Sequence, residues 1–523
     1  MTNLDILKLP IVTQILINDY LVPLNPNTPV EIHLLNINVI ISQILCFNRI
    51  KIYNDEFEID TFPNIYSIVF ADSGVGKDKS KQTLATLTES FTERKKYLEH
   101  QYYEKRLKEI EQEIEEKGIK GAQATAYRKE HHPRRLAFKI TSATAEGFVA
   151  DREQMDNAHF GSIHWYCGEF LDYIKGTDGN KEYFMSLIKE VYDNGNSEAK
   201  SIKSNKNVVP VYGVPQTMSV HSVIDTDSSS DNLGYIFERG YARRCLVACP
   251  KSKPYIKVDL KEKREKRRMA IQSKEKLSKF FSDLVDRTRN IKFVDDYIFH
   301  DSKTFTLTED AVIRYDEYHE ENQKLAMEKR NSDNAHITSD IAGRSWKMIK
   351  LAAIMAVQNR NEFTIDVDDI EMAIYQVNFF SEQLVRFYRA EQIIDAERLY
   401  DYIIENQDKG PITKTVIRKQ KFVPNNQEAT RWIADNLAQV KELAEERGKI
   451  FSEDVHGSNV GRRYSIIDKP KNDEAMKILT YIRENGDVTC LTLQHLTKQF
   501  GPGVGIVLVE HKAKQRPDGG YYL

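Results

Sequence analysis

The sequence predicts an α/β protein with a parallel sheet, a helical N-terminal region, a helical region after the sheet, and two small C-terminal modules. Four short hydrophobic runs alternate with segments of helical periodicity, the pattern of parallel strands joined by helices. The runs lie at 64–70, 136–141, 162–167 and 208–213. Residues 305–390 are almost wholly helical by pattern. Beyond about 391, three helices followed by a glycine-bearing hairpin occur twice, as in winged-helix domains.

Length and charge limit what the chain can be. Its 523 residues suggest three or four domains at about 150 residues each. The formal net charge of -3 argues against a protein that coats nucleic acid with a globally basic surface. Any contact with nucleic acid must therefore use local basic patches or a lined channel.

Cysteine usage and the N-terminus indicate a cytoplasmic protein. The five cysteines are scattered and none forms a C-x-x-C pair, so neither a disulfide framework nor a zinc site is expected. The first residues lack the basic segment of a signal peptide. The most apolar run, 37–47, is too short for a membrane span and is interrupted by polar residues.

The N-terminal region, residues 1–58, is expected to be helical and then to form short strands. Apolar residues are dense enough between 34 and 45 for a buried helix, and RIKIY and FEI follow as strand candidates. Between about 90 and 130 a highly charged helical insertion interrupts the sheet domain. Because sustained heptads are absent, a solvated helical hairpin is favoured there over a coiled-coil partner site.

The stretch IVFADSGVGKDKS, residues 68–80, has the form of a phosphate-binding P-loop: a buried strand, a glycine-containing turn, Gly-Lys and a helix start. Ala71 stands where the usual pattern has its first glycine, and Asp78 where it has a hydroxyl that binds Mg²⁺. The alternative is an ordinary glycine-rich turn between a strand and a helix. The candidate ATP-binding residues are Ser73, Gly74, Val75, Gly76, Lys77, Asp78 and Lys79.

A second motif, SIHWYCGEF, ends a buried run with Gly168 and Glu169. Phosphoryl-transfer enzymes need carboxylates near the phosphates to hold Mg²⁺ or to orient the attacking water. Glu169 is the candidate general base, whereas Gly168 stands where an aspartate is usual. We therefore hypothesise that Asp78 supplies the metal-binding carboxylate that position 168 lacks, so that Asp78 and Glu169 are the candidate Mg²⁺ ligands.

Five segments in a fixed order resemble a helicase-like P-loop ATPase family of phages, plasmids and integrated elements. They are PNIYSIVFADSGVGKDKS, TSATAEGF, IHWYCGEF, VVPVYGVPQTMS and IFERGYARRCLV. The resemblance covers roughly residues 30–390 and implies an AAA+ or RecA-like core related to hexameric superfamily-3 helicases. It implies a bacterial, phage-encoded or mobile-element protein that hydrolyses Mg²⁺-ATP. Asp78 fits this family, in which Asp or Ser often follows Gly-Lys, and Gly168 departs from it.

The resemblance also implies roles for polar residues outside the two motifs. A polar sensor would follow the fourth strand, an arginine finger would reach a neighbouring subunit's γ-phosphate, and a lid arginine would start a later helix. A strand-end cap and structural ion pairs are the alternatives. The candidates are Gln216 and Thr217 for the sensor, Arg239, Arg243 and Arg244 for the finger, and Arg344 for the lid.

Three basic regions are candidates for DNA contact. Lys200, Lys203 and Lys206 lie where related rings have a pore hairpin, and lysines there can grip phosphates of a single strand. A solvated loop is the alternative. The run 251–279 is strongly basic and forms a linker or an exposed helical face. The C-terminal modules, 391–468 and 469–523, can bind duplex DNA or a protein partner as winged helices.

The function predicted from these features is that of a ring-forming, hexameric, ATP-dependent DNA helicase in the replication of a phage or mobile element. Fewer than 70 residues precede the loop, so priming is expected from a separate primase or polymerase partner. One rival is an origin-binding initiator whose nucleotide site is regulatory or inactive, and another is an ATPase of a mobile-element defence system. The predicted regions are 1–58, 59–250, 251–390, 391–468 and 469–523.

Overall fold

The polypeptide forms two units, Met1–Phe387 and Tyr388–Leu523, in a computed structural model. The description covers residues 4–72, 74–142, 144–170, 173, 179–198, 210–223, 240–250, 259–294, 297–300, 303–329, 335–360, 362–420, 422–423, 429–456, 460–468, 514–515 and 521–522.

The N-terminal region is helical, as predicted. Helix α1 (Ile11–Ile15) continues through a π-helical stretch, Leu16–Leu21, into α2 (Val22–Leu24), and α3 follows (Val30–Phe47). Within the described residues, α3 alone is long and apolar enough to cross a membrane, but 78% of it is buried inside the protein. Helix α3 is therefore a core helix of the first unit.

Five parallel strands form the main sheet, which confirms the predicted α/β class. They are β3 (Tyr66–Phe70), β4 (Lys139–Ile140), β5 (Ile163–Cys167), β6 (Gln216–Ser222) and β7 (Cys245–Ala248), and two short strands, β1 (Lys51–Asn54) and β2 (Ile59–Thr61), precede them. The order across the sheet is β4-β5-β6-β3-β7. In register, Tyr66 of β3 lies between Met218 of β6 and Cys245 of β7.

The fourth strand of this sheet differs from the prediction. We expected it at 208–213, but β6 begins at Gln216, and Val211 forms only an isolated bridge with Ser197. Pro210 and Pro215 have no backbone N–H to donate to a sheet ladder, which accounts for a strand start after the second proline.

The crossovers place helices on both faces of the sheet. Helices α4 (Lys77–Ala85), α7 (Ala145–Ala158) and α8 (Gly179–Asn194) follow β3, β4 and β5. The chain moves across the sheet in one direction after β3 and in the other after β4, β5 and β6. Because such crossovers are right-handed, α4 covers the face opposite to α7 and α8. The carboxyl ends of β3 and β6 therefore flank a switch point, where sheets of this kind bind ligands.

The helical insertion within the sheet domain is present. It consists of α5 (Glu89–Glu116) and α6 (Ala122–His131), which pack together around a small core of Ile110, Ile114 and Ala124. This agrees with the helical hairpin predicted at about 90–130.

The region after the sheet combines helices with strands. A long helix, α9 (Leu260–Arg287), is followed by a hairpin of β8 (Ile291–Val294) and β9 (Tyr297–His300). The later elements are β10 (Thr304–Leu307), α10 (Glu309–Lys329), α11 (Ala335–Ala342), α12 (Arg344–Asn359), β11 (Thr364–Ile365) and α13 (Val367–Asn406). The basic run is thus helical from Leu260 onward rather than a linker.

A small mixed sheet joins the beginning of the chain to this later region. Its order is β11-β10-β1-β2, and β1 pairs with β10 in parallel and with β2 antiparallel. The predicted boundary at residue 58 therefore falls between the two strands of a local hairpin, β1 and β2. The link of this hairpin to the later region is the pairing of β1 with β10, which is long-range and leaves no local signal in the sequence.

The second unit contains the end of α13, a short helix α14 (Lys414–Ile417), α15 (Ala429–Glu446) and a hairpin of β12 (Lys449–His456) and β13 (Val460–Asp468). Apolar side chains from all these helices and from β13 form its core, among them Leu399, Ile417, Ile433 and Ile466. This order of elements is the one expected for 391–468. Of 469–523, only the paired strands β14 (Lys514–Gln515) and β15 (Tyr521–Tyr522) are described.

Candidate functional site

The loop between β3 and α4 lies at the switch point of the sheet. The backbone N–H of Ala71 donates to the carbonyl of Ser222, the last residue of β6, at 3.1 Å. Gly74 and Gly76 have φ values of 83° and 82°, in the left-handed region that favours glycine. Gly76 directly precedes α4, so the loop delivers unpaired helix N–H groups to the mouth of the crevice.

Alanine at position 71 does not disturb this loop. The described non-glycine residues with positive φ are Arg49, Glu58 and His159, so Ala71 has an ordinary backbone conformation. Its side chain is buried. The first departure from the usual motif therefore costs the loop no backbone strain.

Lys77 is folded back over the loop. Its Nζ donates to the carbonyl oxygens of Ala71 at 2.8 Å and of Ser222 at 3.3 Å. Burial lowers the pKa of the Lys77 ammonium, and the carboxylates of Glu169, Asp78 and Asp72 partly offset that shift. The ammonium thus lies over the loop, and the charges of Glu169, Asp78 and Asp72 favour its protonated form.

Glu169 follows β5 and is exposed to solvent. Strand β5 neighbours β6, which neighbours β3, so Glu169 and the loop lie at the same edge of the sheet. Its charge acts on Lys77 more strongly than that of Asp78 or Asp72. The structure therefore places Lys77 and Glu169, the two residues on which the sequence prediction depends most, at the same edge of the sheet.

Asp78 is held by a tyrosine that the sequence did not single out. The hydroxyl of Tyr166 donates to Asp78 Oδ1, and Nδ1 of His221 lies 3.8 Å from the same oxygen. The Asp78 side chain is still 64% exposed, so its carboxylate can reach a ligand in the crevice. Burial lowers the pKa of His221 to about 4, which keeps this imidazole neutral at neutral pH.

Gly168 lies beside the same tyrosine hydroxyl. A Cβ at this position would meet the Tyr166 hydroxyl oxygen at 3.9 Å, an ordinary contact distance, and Gly168 does not have a positive φ. A side chain would therefore fit there. Position 168 and Asp78 both adjoin this hydroxyl, which an exchange of a carboxylate between them requires.

The metal-binding capacity of the crevice depends on Asp78 and Glu169. No group of three or more His, Cys, Asp or Glu side chains able to hold a metal ion occurs in the described part of the chain. Mg²⁺ bound with a nucleotide takes most of its ligands from phosphate oxygens and water, with one or two carboxylates from the protein. Asp78 and Glu169 fit that limited role.

The predicted sensor residues are not at this site. Gln216 and Thr217 begin β6, whose other end lies at the loop, so they are at the opposite edge of the sheet. Both are fully buried, and Thr217 Oγ1 is hydrogen-bonded to Nδ1 of His164 at 3.0 Å. The error follows from the misplaced fourth strand. The polar residue at the correct end is His221, and the signal for it was the polar end of the buried run MSVHS.

The arginine-finger candidates lie at the edge of the sheet opposite to Lys77, because Arg243 and Arg244 directly precede β7. Arg244 is tied to Asp193 at 3.2 Å, whereas Arg243 is exposed. This edge is separated from the loop at Lys77 by the length of the strands. Arg239 lies outside the described residues.

Arg344 is likewise remote from Lys77, which corrects its expected role in the same site. Its Nε donates to Asp340 at 3.2 Å, and Asp340 also pairs with Lys347 at 2.5 Å. Lys347 in turn donates to the carbonyls of Ala242 and Cys245 beside β7. This buried network holds Arg344 at the edge of the sheet where Arg243 lies.

Two further predicted residues, Val75 and Lys79, lie next to Lys77 in the described part of the chain. Val75 is half-buried in the loop, and Lys79 is exposed on α4. Ser73 and the three candidate pore lysines, Lys200, Lys203 and Lys206, lie outside the described residues.

Comparison with known proteins adds no identity to this geometry. No model of a known protein family matches the chain, and no curated protein is significantly similar to it.

Proposed function

We propose that the crevice at the ends of β3 and β6 binds Mg²⁺-ATP and hydrolyses it, and that the chain is the motor subunit of a ring-forming DNA helicase in a mobile element. The observation that carries this proposal is the meeting of Lys77 and Glu169 at the switch point, beside a loop with two left-handed glycines that leads into a helix. Such a loop is suited to phosphate because N–H groups converge on one anion.

Phosphate binding would change the partners of Lys77. In the present state its Nζ donates to two neighbouring backbone carbonyls, those of Ala71 and Ser222, where β3 and β6 end. A phosphate oxygen carries more negative charge than a carbonyl and forms a stronger, charge-assisted hydrogen bond. Lys77 would therefore exchange these carbonyls for the β- and γ-phosphates when ATP enters.

Hydrolysis requires a base for the attacking water, and Glu169 is the exposed carboxylate at the right edge of the sheet. Glu169 would accept a proton as the water oxygen bonds to the γ-phosphorus. The bond from that phosphorus to the bridging oxygen then breaks, releasing ADP and phosphate. Mg²⁺ would neutralise charge on the phosphate oxygens, with Asp78 as a direct or water-mediated ligand.

A ring is supported by the position of Arg243. It is exposed at the edge of the sheet opposite to Lys77, and transition-state charge in such enzymes is often stabilised by an arginine from a second subunit. We infer that Arg243, rather than the ion-paired Arg244, completes the site of a neighbouring copy.

DNA as the track is supported by exposed positive charge in both units. The first turns of α9 carry six basic residues against two acidic ones, and α14 begins a basic cluster in the second unit. These residues are Lys261, Lys263, Arg264, Lys266, Arg267 and Arg268 in α9, and Lys414, Arg418 and Lys419 at α14. Phosphate contacts of this kind are independent of sequence and sensitive to salt.

Strand displacement by the purified protein, with and without ATP, tests the function. We expect unwinding of a forked duplex with Mg²⁺-ATP, loss of unwinding in Lys77→Ala and Glu169→Gln, and little change in the control Lys96→Ala, whose lysine is exposed on α5. Tight, sequence-specific duplex binding without ATP turnover would favour the initiator instead.

A further inference from the structure

A cavity with a largely apolar wall lies on the face of the main sheet that α3 and α4 cover, apart from the crevice at Lys77. Its volume is about 220 Å³, and its walls come from α3, α4, the start of α5, and strands β4, β5 and β6. Apolar side chains such as Val39, Leu84 and Phe91 form part of the wall. The exposed residues Thr92 and Lys139 mark its opening to solvent.

Three lysines converge on this cavity: Lys81 from α4, Lys95 from α5 and Lys139 from β4. None of them forms an ion pair in the described part of the protein, and Nζ of Lys81 is buried without a hydrogen-bond partner. Burial, followed by repulsion from Lys139, lowers the pKa of Lys81 to about 7. Burial and Lys139 also lower the pKa of Lys95. Among the described residues no carboxylate lines the cavity, and the one that raises the pKa of Lys81, Asp78, lies outside its wall.

Neutral donors in the wall add to this charge. His164 is 5% exposed, and in the tautomer whose Nδ1 accepts the hydrogen bond of the Thr217 hydroxyl, its Nε2 carries the proton and has no partner. The side-chain amide nitrogen of Asn36, also 5% exposed, has none either. A buried donor without an acceptor is costly, so such atoms indicate that an acceptor belongs there.

We propose that this cavity is an anion-binding site for a small phosphate species, inorganic phosphate or pyrophosphate, held by Lys81, Lys95 and Lys139 with His164 and Asn36 as neutral donors. Phosphate oxygens are acceptors and carry the negative charge that the lysines lack. The volume suits such an anion and lies below the range of about 300–1,000 Å³ that is typical of pockets for drug-sized ligands.

The site is connected to the nucleotide crevice through Tyr166. The Nζ of Lys81 lies 3.6 Å from the centre of the Tyr166 ring, and the hydroxyl of that tyrosine donates to Asp78. An anion that draws Lys81 away from the ring weakens this cation–π contact. Occupancy of the cavity therefore affects Asp78 at the crevice. This effect rests on the proposed function, whereas anion binding itself does not.

Calorimetric titration of full-length protein with pyrophosphate at constant ionic strength, without Mg²⁺, tests the site. The titration is done in Lys77→Ala, so that the crevice does not contribute. We expect saturable binding at one site, accompanied by proton uptake near pH 7.5 because a bound anion raises the pKa of Lys81. In the same background, Lys95→Gln/Lys139→Gln should lose at least about ten-fold in affinity. The matched control Lys96→Gln/Lys120→Gln, which removes two exposed lysines, should bind as Lys77→Ala does.

Two results would overturn the proposal. One is a loss of pyrophosphate binding in Lys77→Ala itself, which would assign the anion to the crevice. The other is equal weakening by the cavity and control pairs, which would indicate non-specific attraction by the surface. A third measurement is competition by a single-stranded oligonucleotide. If the oligonucleotide displaces pyrophosphate only when Lys95 and Lys139 are intact, the site binds the phosphates of DNA, which would contradict a site for a small free anion.

Discussion

Asp78 and Gly168 depart, as Ala71 does, from the pattern of residues usual in P-loop ATPases, and both adjoin the hydroxyl of Tyr166. Asp78 accepts the hydrogen bond of that hydroxyl, and a side chain at 168 would begin 3.9 Å from it. One carboxylate at this point can bind a cation. Two would repel each other, because like charges a few ångströms apart disfavour joint ionisation.

This arrangement predicts that substitutions at the two positions are not additive. Asp78→Ser should lower ATP turnover by about ten-fold or more, since a neutral hydroxyl replaces the only carboxylate proposed to stand in for position 168, and Gly168→Asp alone should also lower it because of repulsion. The double variant Asp78→Ser/Gly168→Asp should recover at least a few-fold over either single variant. Steady-state ATPase rates over a Mg²⁺ titration measure the coupling. Additive losses would contradict the exchange of the metal ligand.

Buried histidines predict a loss of stability in mild acid. Burial lowers the pKa of both His33 and His221 from 6.5 to about 4. Between pH 4 and 6.5 the unfolded chain therefore binds more protons than the folded one, and the free energy of unfolding falls as the pH falls. Each residue contributes about 1.5 kcal/mol between pH 6.5 and 5.

Chemical denaturation of the protein and of His33→Asn at these two pH values measures that contribution. The difference between the two pH values should be smaller in His33→Asn than in the parent protein, and should be unchanged in His100→Asn, which alters an exposed histidine. Identical pH dependence in the parent and in His33→Asn would show that His33 does not contribute.

Helix α12 anchors the connection between β2 and β3 through one buried lysine. The three N–H groups of the Lys350 ammonium share four acceptors: Thr61 Oγ1 at 2.7 Å, the carbonyls of Phe62 and Tyr192 at 3.0 Å, and the side-chain oxygen of Asn64. Three segments distant in sequence therefore meet at a single ammonium group.

Loss of this ammonium should destabilise the first unit. Lys350→Met keeps much of the side-chain volume but leaves several buried acceptors unpaired, at about 1–3 kcal/mol each. We expect a total loss of at least about 3 kcal/mol, visible as a lower Tm in thermal unfolding. The control Lys324→Met removes an exposed lysine of an i,i+4 pair and should change stability by less than about 0.5 kcal/mol. A Tm for Lys350→Met as high as that of Lys324→Met would contradict the anchoring role.

The sequence predicted the positions of some strands more accurately than those of others. β3 and β5 were placed within two residues, because each is a short buried run bounded by turn residues. β6 was placed too early, since the apolar run before it is interrupted by prolines. The loop with Lys77 was visible as a motif, whereas Tyr166 and His221 join the site only through the register of β5 and β6. β1 and β10 pair across about 250 residues, which no local pattern reveals.

Assembly into a ring is the largest claim about the molecule, and it predicts that two inactive variants can restore each other. Lys77→Ala keeps Arg243 but cannot hold ATP, and Arg243→Ala keeps the crevice but lacks the arginine that acts on a neighbour. Mixed rings contain interfaces with an intact crevice and an intact Arg243, so ATPase activity should recover to a measurable fraction of that of the parent protein.

Mixing Lys77→Ala with Glu169→Gln/Arg243→Ala is the matched control and should not recover activity. Failure of the first mixture, with mixed rings demonstrated, would contradict action of Arg243 between subunits.

The separation of ATP binding from ATP turnover tests the nucleotide site most directly. Titration with a fluorescent ATP analogue and a steady-state ATPase assay should be done on the parent protein, Lys77→Ala and Glu169→Gln. We expect Glu169→Gln to bind the analogue as the parent protein does but to turn ATP over at least about 100-fold more slowly, because it lacks the base. Lys77→Ala should lose binding. A parent protein that does not bind ATP, or a Glu169→Gln variant with the turnover of the parent, would contradict the proposed nucleotide site.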